Sequence, residues 1–114
     1  MLASGSIVNT CNVWDTRNWE LLKEIPHPDW VMKARFAEDN KLLTGCRDNV
    51  IRTFGTDFNE IVAEGGDITG SRVALHKDFK AVADGNDVKV VDNKAVVLWQ
   101  TRNYALNLTN VNID

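Results

Sequence analysis

Short apolar runs separated by turn-forming residues recur along the whole chain. Met32, Ala34 and Phe36 alternate with polar or charged neighbours, which is the pattern of a strand with one buried face. Residues that favour turns lie between the runs, for example Asp39-Asn40, Asp84-Gly85 and Asp92-Asn93. On local evidence, residues 30–37 could form a helical turn. However, the strand-like runs are spaced about 8–12 residues apart, and this spacing predicts an all-β protein.

The pattern also repeats within the chain. At an offset of about 40 residues, Ser4-Gly5-Ser6 aligns without a gap on Thr44-Gly45-Cys46, and Trp14 aligns on Phe54. A third copy, after a slightly shorter interval, places Val91 at the same position. A period of about 40 residues, with four strands in each unit, is typical of the blades of a β-propeller.

The alignment of the third copy has an alternative. Residues 16–19 and 101–104 are similar, with the sequences Thr-Arg-Asn-Trp and Thr-Arg-Asn-Tyr. That match would make residues 95–99 a third strand and would give Trp99 the position of Trp14. We favour the alignment on Val91, because it keeps both intervals at about 40 residues.

Residues 27–55 contain a histidine near the start, His27, and the run Phe36-Ala37-Glu38-Asp39-Asn40-Lys41-Leu42-Leu43-Thr44-Gly45, followed by Asp48 before the next strand. With these features they resemble one whole repeat of the WD-repeat (WD40) family. The first copy contains the dipeptide Trp14-Asp15. The resemblance implies a divergent β-propeller built from four-stranded antiparallel blades.

The resemblance also implies a buried polar network inside each blade. In the family, the histidine binds the turn aspartate and a Ser or Thr, whose hydroxyl meets a Trp indole N–H. The middle repeat offers His27, Thr44 and Asp48, with Phe54 in place of the Trp; the first repeat offers Ser4 and Trp14. Since Phe has no N–H group, we expect a shortened network there, with Phe54 contributing only packing.

The blade boundaries predicted from this alignment leave the ring incomplete. Residues 1–26 form the last three strands of a first blade, 27–64 a complete WD-like blade, 65–100 a divergent blade and 101–114 the first strand of a next blade. Three blades' worth of strands is fewer than the 4–8 blades of typical propellers. We therefore expect further blades from the same protein, from a second copy that exchanges its last strand, or from another chain.

Composition limits the possible functions. The net charge of −3 provides no clustered basic face for nucleic acid, and no segment indicates membrane binding. Cys11 and Cys46 lack metal-ligand spacing and are predicted to be buried, reduced thiols, which favours the cytoplasm or nucleus. We expect no cofactor and no metal.

Candidate chemistry in the sequence is sparse. Ser4, His27 and Asp48 have the residue types of a hydrolase triad, but the blade network accounts for them better. We therefore predict no enzyme and no catalytic residue. Asp29, Trp30 and Arg47 are predicted to lie together on a rim, as a possible contact patch for partner proteins.

The sequence therefore predicts a non-catalytic scaffold for protein–protein interactions, part of a larger assembly. The alternative is a small self-assembling propeller that binds a small ligand or glycan in its ring.

Overall fold

A computed structural model describes residues 1–101 and 108–113. Within these residues strands are the dominant secondary structure, with a short 3-10 turn at Glu38–Asn40. The strands are β1 (Leu2–Ser6), β2 (Thr10–Trp14), β3 (Leu21–Pro26), β4 (Val31–Phe36), β5 (Leu42–Cys46), β6 (Val50–Phe54), β7 (Glu60–Gly65), β8 (Val73–Leu75), β9 (Phe79–Asp84), β10 (Asp87–Asp92), β11 (Val97–Gln100) and β12 (Leu108–Ile113). The all-β prediction is confirmed, and residues 31–36 form a strand.

The strands form three antiparallel, four-stranded sheets. The first sheet has the order β12-β1-β2-β3, the second β4-β5-β6-β7 and the third β8-β9-β10-β11. In the third sheet β10 is the third strand and β11 the outer strand, so the alignment on Val91 holds and the alternative on Trp99 does not.

The last strand lies in a different place from the one predicted. Residues 101–114 were predicted to begin a next blade, but β12 pairs with β1, with Leu2 opposite Ile113 and Gly5 opposite Asn110. It therefore supplies the inner strand of the first sheet, and the pairing occurs within one chain rather than between two copies. Pairing satisfies backbone groups of β1 that would otherwise form an open edge.

The internal repeat has a direct structural basis in the turns. Asn9 and Asn49 occupy equivalent positions of the first two repeats, and both have positive φ (65° and 67°) in the tight turns β1–β2 and β5–β6. Asparagine tolerates this left-handed conformation better than most residues. In the third sheet Gly85, with φ 60°, serves the β9–β10 turn.

The first sheet lies between the other two, and its strands β1 and β2 are buried on both faces. Leu2, Trp14 and Val111 pack with residues of the third sheet, whereas Ala3, Cys11 and Val13 pack with residues of the second sheet. Successive side chains of a strand point to opposite faces, so β1 contributes to both clusters. Both buried clusters in the described part of the chain include the first sheet.

Polar side chains of β12 bind the backbone of β4. Asn110 Nδ2 donates to Ala34 O (3.0 Å), Phe36 N donates to Asn112 Oδ1 (3.0 Å) and Thr109 Oγ1 donates to Val31 O. Gly5 lies beside this contact, where a Cβ atom would come within 2.7 Å of Val31 O. The innermost strands of the first and second sheets are therefore held closely together.

The connection between the second and third sheets crosses the second sheet. A Cβ at Gly66 would lie 2.7 Å from Ile51 Cγ1, one at Gly45 would lie 2.9 Å from Ile68 Cα, and one at Gly70 would collide with Met32 O. Residues 66–70 therefore run from β6 across β5 to β4, on the face of the second sheet that points away from the first sheet. We call this segment the strap.

Candidate functional site

His27 lies in a buried polar contact of the second sheet. The side chain is 8% exposed, its Nε2 is 2.7 Å from Thr44 Oγ1 and its Nδ1 is 3.1 Å from Ile25 O. Its ring centre is 5.8 Å from that of Phe54. Burial lowers the pKa of His27, because the charged imidazolium loses its water. His27 and Thr44 are thus brought together, and Phe54 packs beside them.

Asp48 does not bind His27, contrary to the interaction that the resemblance implied. Its Oδ2 accepts from Arg52 Nη2 (2.8 Å), and its Oδ1 accepts from Val50 N (3.1 Å). The Arg52 guanidinium holds the pKa of Asp48 below its usual value. Arg52 also forms an ion pair with Glu60 (3.3 Å). Arg52 was not predicted as a site residue. Its place four residues after Asp48, across a tight turn, allows the contact but does not decide between Arg52 and His27 as the partner.

Ser4 and Trp14 do not form the hydroxyl–indole contact that the resemblance implied. Ser4 Oγ is buried and has no hydrogen-bond partner among the described residues; neither does Oδ1 of Asn12, the residue opposite it on β2. Trp14 instead packs edge-on against Trp99, with ring centres 5.4 Å apart. Trp99 stacks on Trp19 at 4.9 Å. These aromatic rings join the first and third sheets.

The residue types of a hydrolase triad are not connected as a triad. Ser4 Oγ has no partner in the described chain, His27 Nε2 is engaged by Thr44, and Asp48 is paired with Arg52. A triad needs the nucleophile bonded to the base and the base bonded to the acid. Neither link is present among these described residues.

Asp29, Trp30 and Arg47 are in mutual contact. Arg47 Nε donates to Asp29 Oδ1 (3.1 Å), and its guanidinium carbon lies 3.8 Å from the centre of the Trp30 ring. Trp30 N donates to Asp29 Oδ1 (2.8 Å), and Arg47 N donates to Trp30 O (2.8 Å). The Arg47 side chain is 50% exposed. We call these three residues the rim cluster, a fixed and partly exposed charged–aromatic surface.

The outer face of the third sheet, which points away from the first sheet, combines apolar and charged side chains and is not covered by described residues. Strand pairing places Val73, Val82, Lys89 and Gln100 in one row and Leu75, Lys80, Val91 and Val97 in the next. Leu75 is 77% exposed, and Val73 and Val97 are each 46% exposed.

A cavity of about 340 Å³ lies between the inner strands of the three sheets. Lys33 and Arg35 of β4, Thr69 and Ser71 of the connection, Val73 of β8 and Asn112 of β12 contribute to its wall.

Cys11 and Cys46 are both buried free thiols, and burial raises the pKa of Cys11 to about 12. Among the described residues, no three His, Cys, Asp or Glu side chains are grouped closely enough to hold a metal ion. The described chain also has no helix with the length and apolar character needed to span a membrane.

Comparison with known proteins identifies the fold. No family model matches the chain, and no curated protein matches it in sequence. Among solved structures it is similar to U3-55K, with a TM-score of 0.52 and 16% identity over 87% of this chain, and to the RRP9 WD40 repeats, with a TM-score of 0.53 and 16% identity over 86% of it. The chain spans only 35% and 34% of those two chains.

Three four-stranded antiparallel sheets with their first strands innermost define the chain as part of a β-propeller. The propellers it matches show that the fold is of the WD40 type, which confirms the fold predicted from the repeat.

Proposed function

We propose that this chain is a non-catalytic scaffold for protein–protein interactions that forms part of a larger propeller assembly. The observation that carries the proposal is the exposure of apolar side chains on the uncovered face of the third sheet. A WD40-type fold is compatible with this role, but one fold hosts many functions. The proposal is therefore supported by the exposed surface of the third sheet and not by the fold alone.

The third sheet offers a continuous face for another protein surface. Leu75, Val73 and Val97 are substantially exposed, and Val82 and Val91 complete the patch. Apolar surface of this kind on a sheet is stabilised when another surface covers it, at about 25 cal/mol for each Å² removed from water. In a propeller the covering surface would be the face of a next blade.

The two outer faces of the molecule differ. The strap lies across the outer face of the second sheet, with Gly66 against Ile51 and Ile68 against Gly45. The third sheet has no such cover within the described residues. We therefore propose that additional blades, from the same protein, a second copy or another chain, pack first on the third sheet. The chain spans only 35% and 34% of the two propellers it matches, which supports this arrangement.

The rim cluster is proposed as a second contact surface. Arg47 is held over Trp30 by Asp29, so the tryptophan and the guanidinium are ordered before a partner arrives. Tryptophan and arginine are among the residues that most often dominate binding energy at protein interfaces. Preordered side chains also lose less conformational entropy on binding.

The outer face can be tested with charged substitutions. We expect the double variant Leu75→Lys/Val97→Lys to weaken self-association, or binding of a fluorescent dye for apolar surfaces, by about tenfold or more, because lysine ammonium groups resist burial. The control is Leu22→Lys, a 44% exposed position on β3 of the first sheet, which should change neither. Sedimentation velocity over a concentration series and dye titration measure both quantities. A monomeric wild-type chain that binds no dye would contradict the proposal.

The rim cluster needs a different readout. Arg47→Glu should reduce the set of proteins captured by the chain from extracts of its own cells, while Arg72→Glu, the same charge change at an exposed position outside the cluster, should not. Identical capture by the two variants would exclude the rim cluster as a contact surface.

We also propose that the protein is located in the cytoplasm or nucleus. Cys11 and Cys46 are free thiols, as expected in a reducing compartment. Cell fractionation tests it, and recovery of the protein from a secreted fraction would contradict it.

A further inference from the structure

The cavity between the inner strands has an unusual charge balance. Its wall contains Lys33 and Arg35 but no aspartate or glutamate among the described residues that line it. Lys33 and Arg35 are two residues apart on β4, so their side chains point to the same side of the strand. Two cations therefore lie side by side at this cavity, and both also line a neighbouring pocket that includes Glu38.

Neither cation is neutralised by a close ion pair in the described chain. Lys33 Nζ donates to the backbone oxygen of Asp67 at 3.4 Å, and Arg35 has no ion-pair partner among the described residues. The Asp67 carboxylate lies nearby but is turned to its own loop, where Oδ1 accepts from Thr69 N at 2.9 Å. Two other arginines of the second sheet, Arg47 and Arg52, both have carboxylate partners.

The remaining wall supplies neutral hydrogen-bonding groups. The hydroxyls of Thr69 and Ser71 and the amide of Asn112 contribute to it. Ser71 Oγ is held in place by Val73, donating to its oxygen (2.8 Å) and accepting from its N–H (3.2 Å). Backbone bonds from Val111 N to Ser71 O (2.8 Å) and from Ala83 N to Arg72 O (2.7 Å) fix the connection to β12 and β9. The wall therefore combines residues of the three sheets and of the connection, which backbone hydrogen bonds tie together.

We propose that this cavity binds a small phosphate-bearing anion, held by Lys33 and Arg35. A guanidinium and an ammonium on one side of a cavity match a dianion better than a singly charged carboxylate, and the guanidinium fork suits phosphate oxygens. The volume of about 340 Å³ is at the lower end of the range for small-molecule sites. Since the residues named in the wall belong to this chain, the site can be tested independently of the proposed scaffold role.

The test is a titration with inorganic phosphate at constant ionic strength, followed by amide chemical shifts of the whole chain. We expect shifts concentrated at residues 33–35, 69–71 and 112. Lys33→Gln/Arg35→Gln should weaken phosphate binding by about tenfold or more, because two charge-assisted contacts are lost. The control Lys23→Gln/Lys94→Gln removes the same charge from exposed positions outside the cavity and should bind as the wild type does. Arg35→Lys, which keeps the charge, should bind with intermediate affinity.

The outcomes separate specific binding from general electrostatic attraction. Equal weakening in the two double variants, or shifts spread over all lysine and arginine positions, would overturn the proposal. Acetate that binds as tightly as phosphate would also overturn it, since the cavity would then take any anion. Glycerol 3-phosphate binding more tightly than phosphate would identify the ligand as a phosphate ester; the reverse would identify free phosphate, and both support the proposal.

Discussion

At the scale of single residues, His27 forms one of the contacts that the resemblance predicted, the contact with Thr44. The Ile25 carbonyl of the first sheet and the Thr44 hydroxyl of the second sheet satisfy both of its ring nitrogens. Leaving one such buried group without a partner costs about 1–3 kcal/mol. The contact with Thr44 was predictable, because the resemblance places a histidine and a Ser or Thr at these positions.

The partner of Asp48 could not be predicted in the same way. A carboxylate gains more from a guanidinium than from a neutral imidazole, and Arg52 reaches Asp48 across the β5–β6 turn. The arginine thus replaces the histidine as the partner of the turn aspartate. In the first sheet Val8 stands at the matching position, and Ser4 Oγ has no partner among the described residues.

The lowered pKa of His27 makes stability depend on pH. In the folded chain His27 resists protonation, whereas in the unfolded chain its pKa returns to the ordinary value of 6.5. The unfolded state then binds more protons, so the free energy of unfolding decreases as pH falls through and below that value. One group contributes a slope of at most about 1.4 kcal/mol per pH unit. Denaturant unfolding between pH 7.5 and pH 5 measures it.

One variant makes this prediction specific. His27→Gln should flatten the slope in that window, because it removes the buried group whose protonation the fold opposes. The lowered pKa values of Asp48, Asp57 and Asp67 affect stability in a lower pH range. The stability that these carboxylates contribute is lost only as pH falls below the ordinary aspartate value of 3.8. An unchanged slope in the His27 variant would show that another group is responsible.

At the scale of elements, β12 decides whether the first sheet is complete. It pairs with β1, places Leu108 and Val111 in the buried cluster shared with the third sheet, and binds the β4 backbone through Asn110 and Asn112. One strand therefore contacts all three sheets.

Deletion of residues 108–114 should abolish cooperative unfolding. It removes two buried apolar side chains, whose loss costs several kcal/mol in a domain of this size, and it exposes β1 as an open edge. Near-UV circular dichroism and thermal unfolding measure the effect. Removal of Asp114 alone is the control. A synthetic peptide of residues 102–114 added in trans should restore the signal, and a deletion variant as stable as the full chain would contradict the role of β12.

At the scale of the whole molecule, the three sheets lie side by side, with the first sheet in the middle. Every residue of β1 is buried, whereas every residue of β7 is exposed. Both buried clusters are shared with the first sheet, so the second and third sheets are stabilised largely through it. Among the described residues, the arrangement is an arc that leaves one outer face partly covered by the strap and the other open.

This arrangement predicts a gradient of amide protection. Amides of β1 and β2 should exchange with solvent at the slowest rates, and those of β7 and β11 about tenfold faster or more, because local opening of an outer strand leaves both clusters intact. Hydrogen–deuterium exchange measured residue by residue tests it. Equal protection of all the strands would show that the three sheets unfold as one unit.

The sequence by itself determined the local structure of this protein. Alternating apolar residues indicated which side chains face inward, Asn9 and Asn49 indicated equivalent turns in consecutive units, and the period indicated a repeating unit of four strands. These features depend on residues that are close together in the sequence, so a short stretch of the sequence is enough to predict them. The tertiary structure alone decided that β12 completes the first sheet, that Asp48 binds Arg52 and that the strap covers the second sheet. In each case, residues that are distant in the sequence could form more than one pairing. The pairing that forms is the one that satisfies more backbone groups, buries more apolar surface or neutralises more charge.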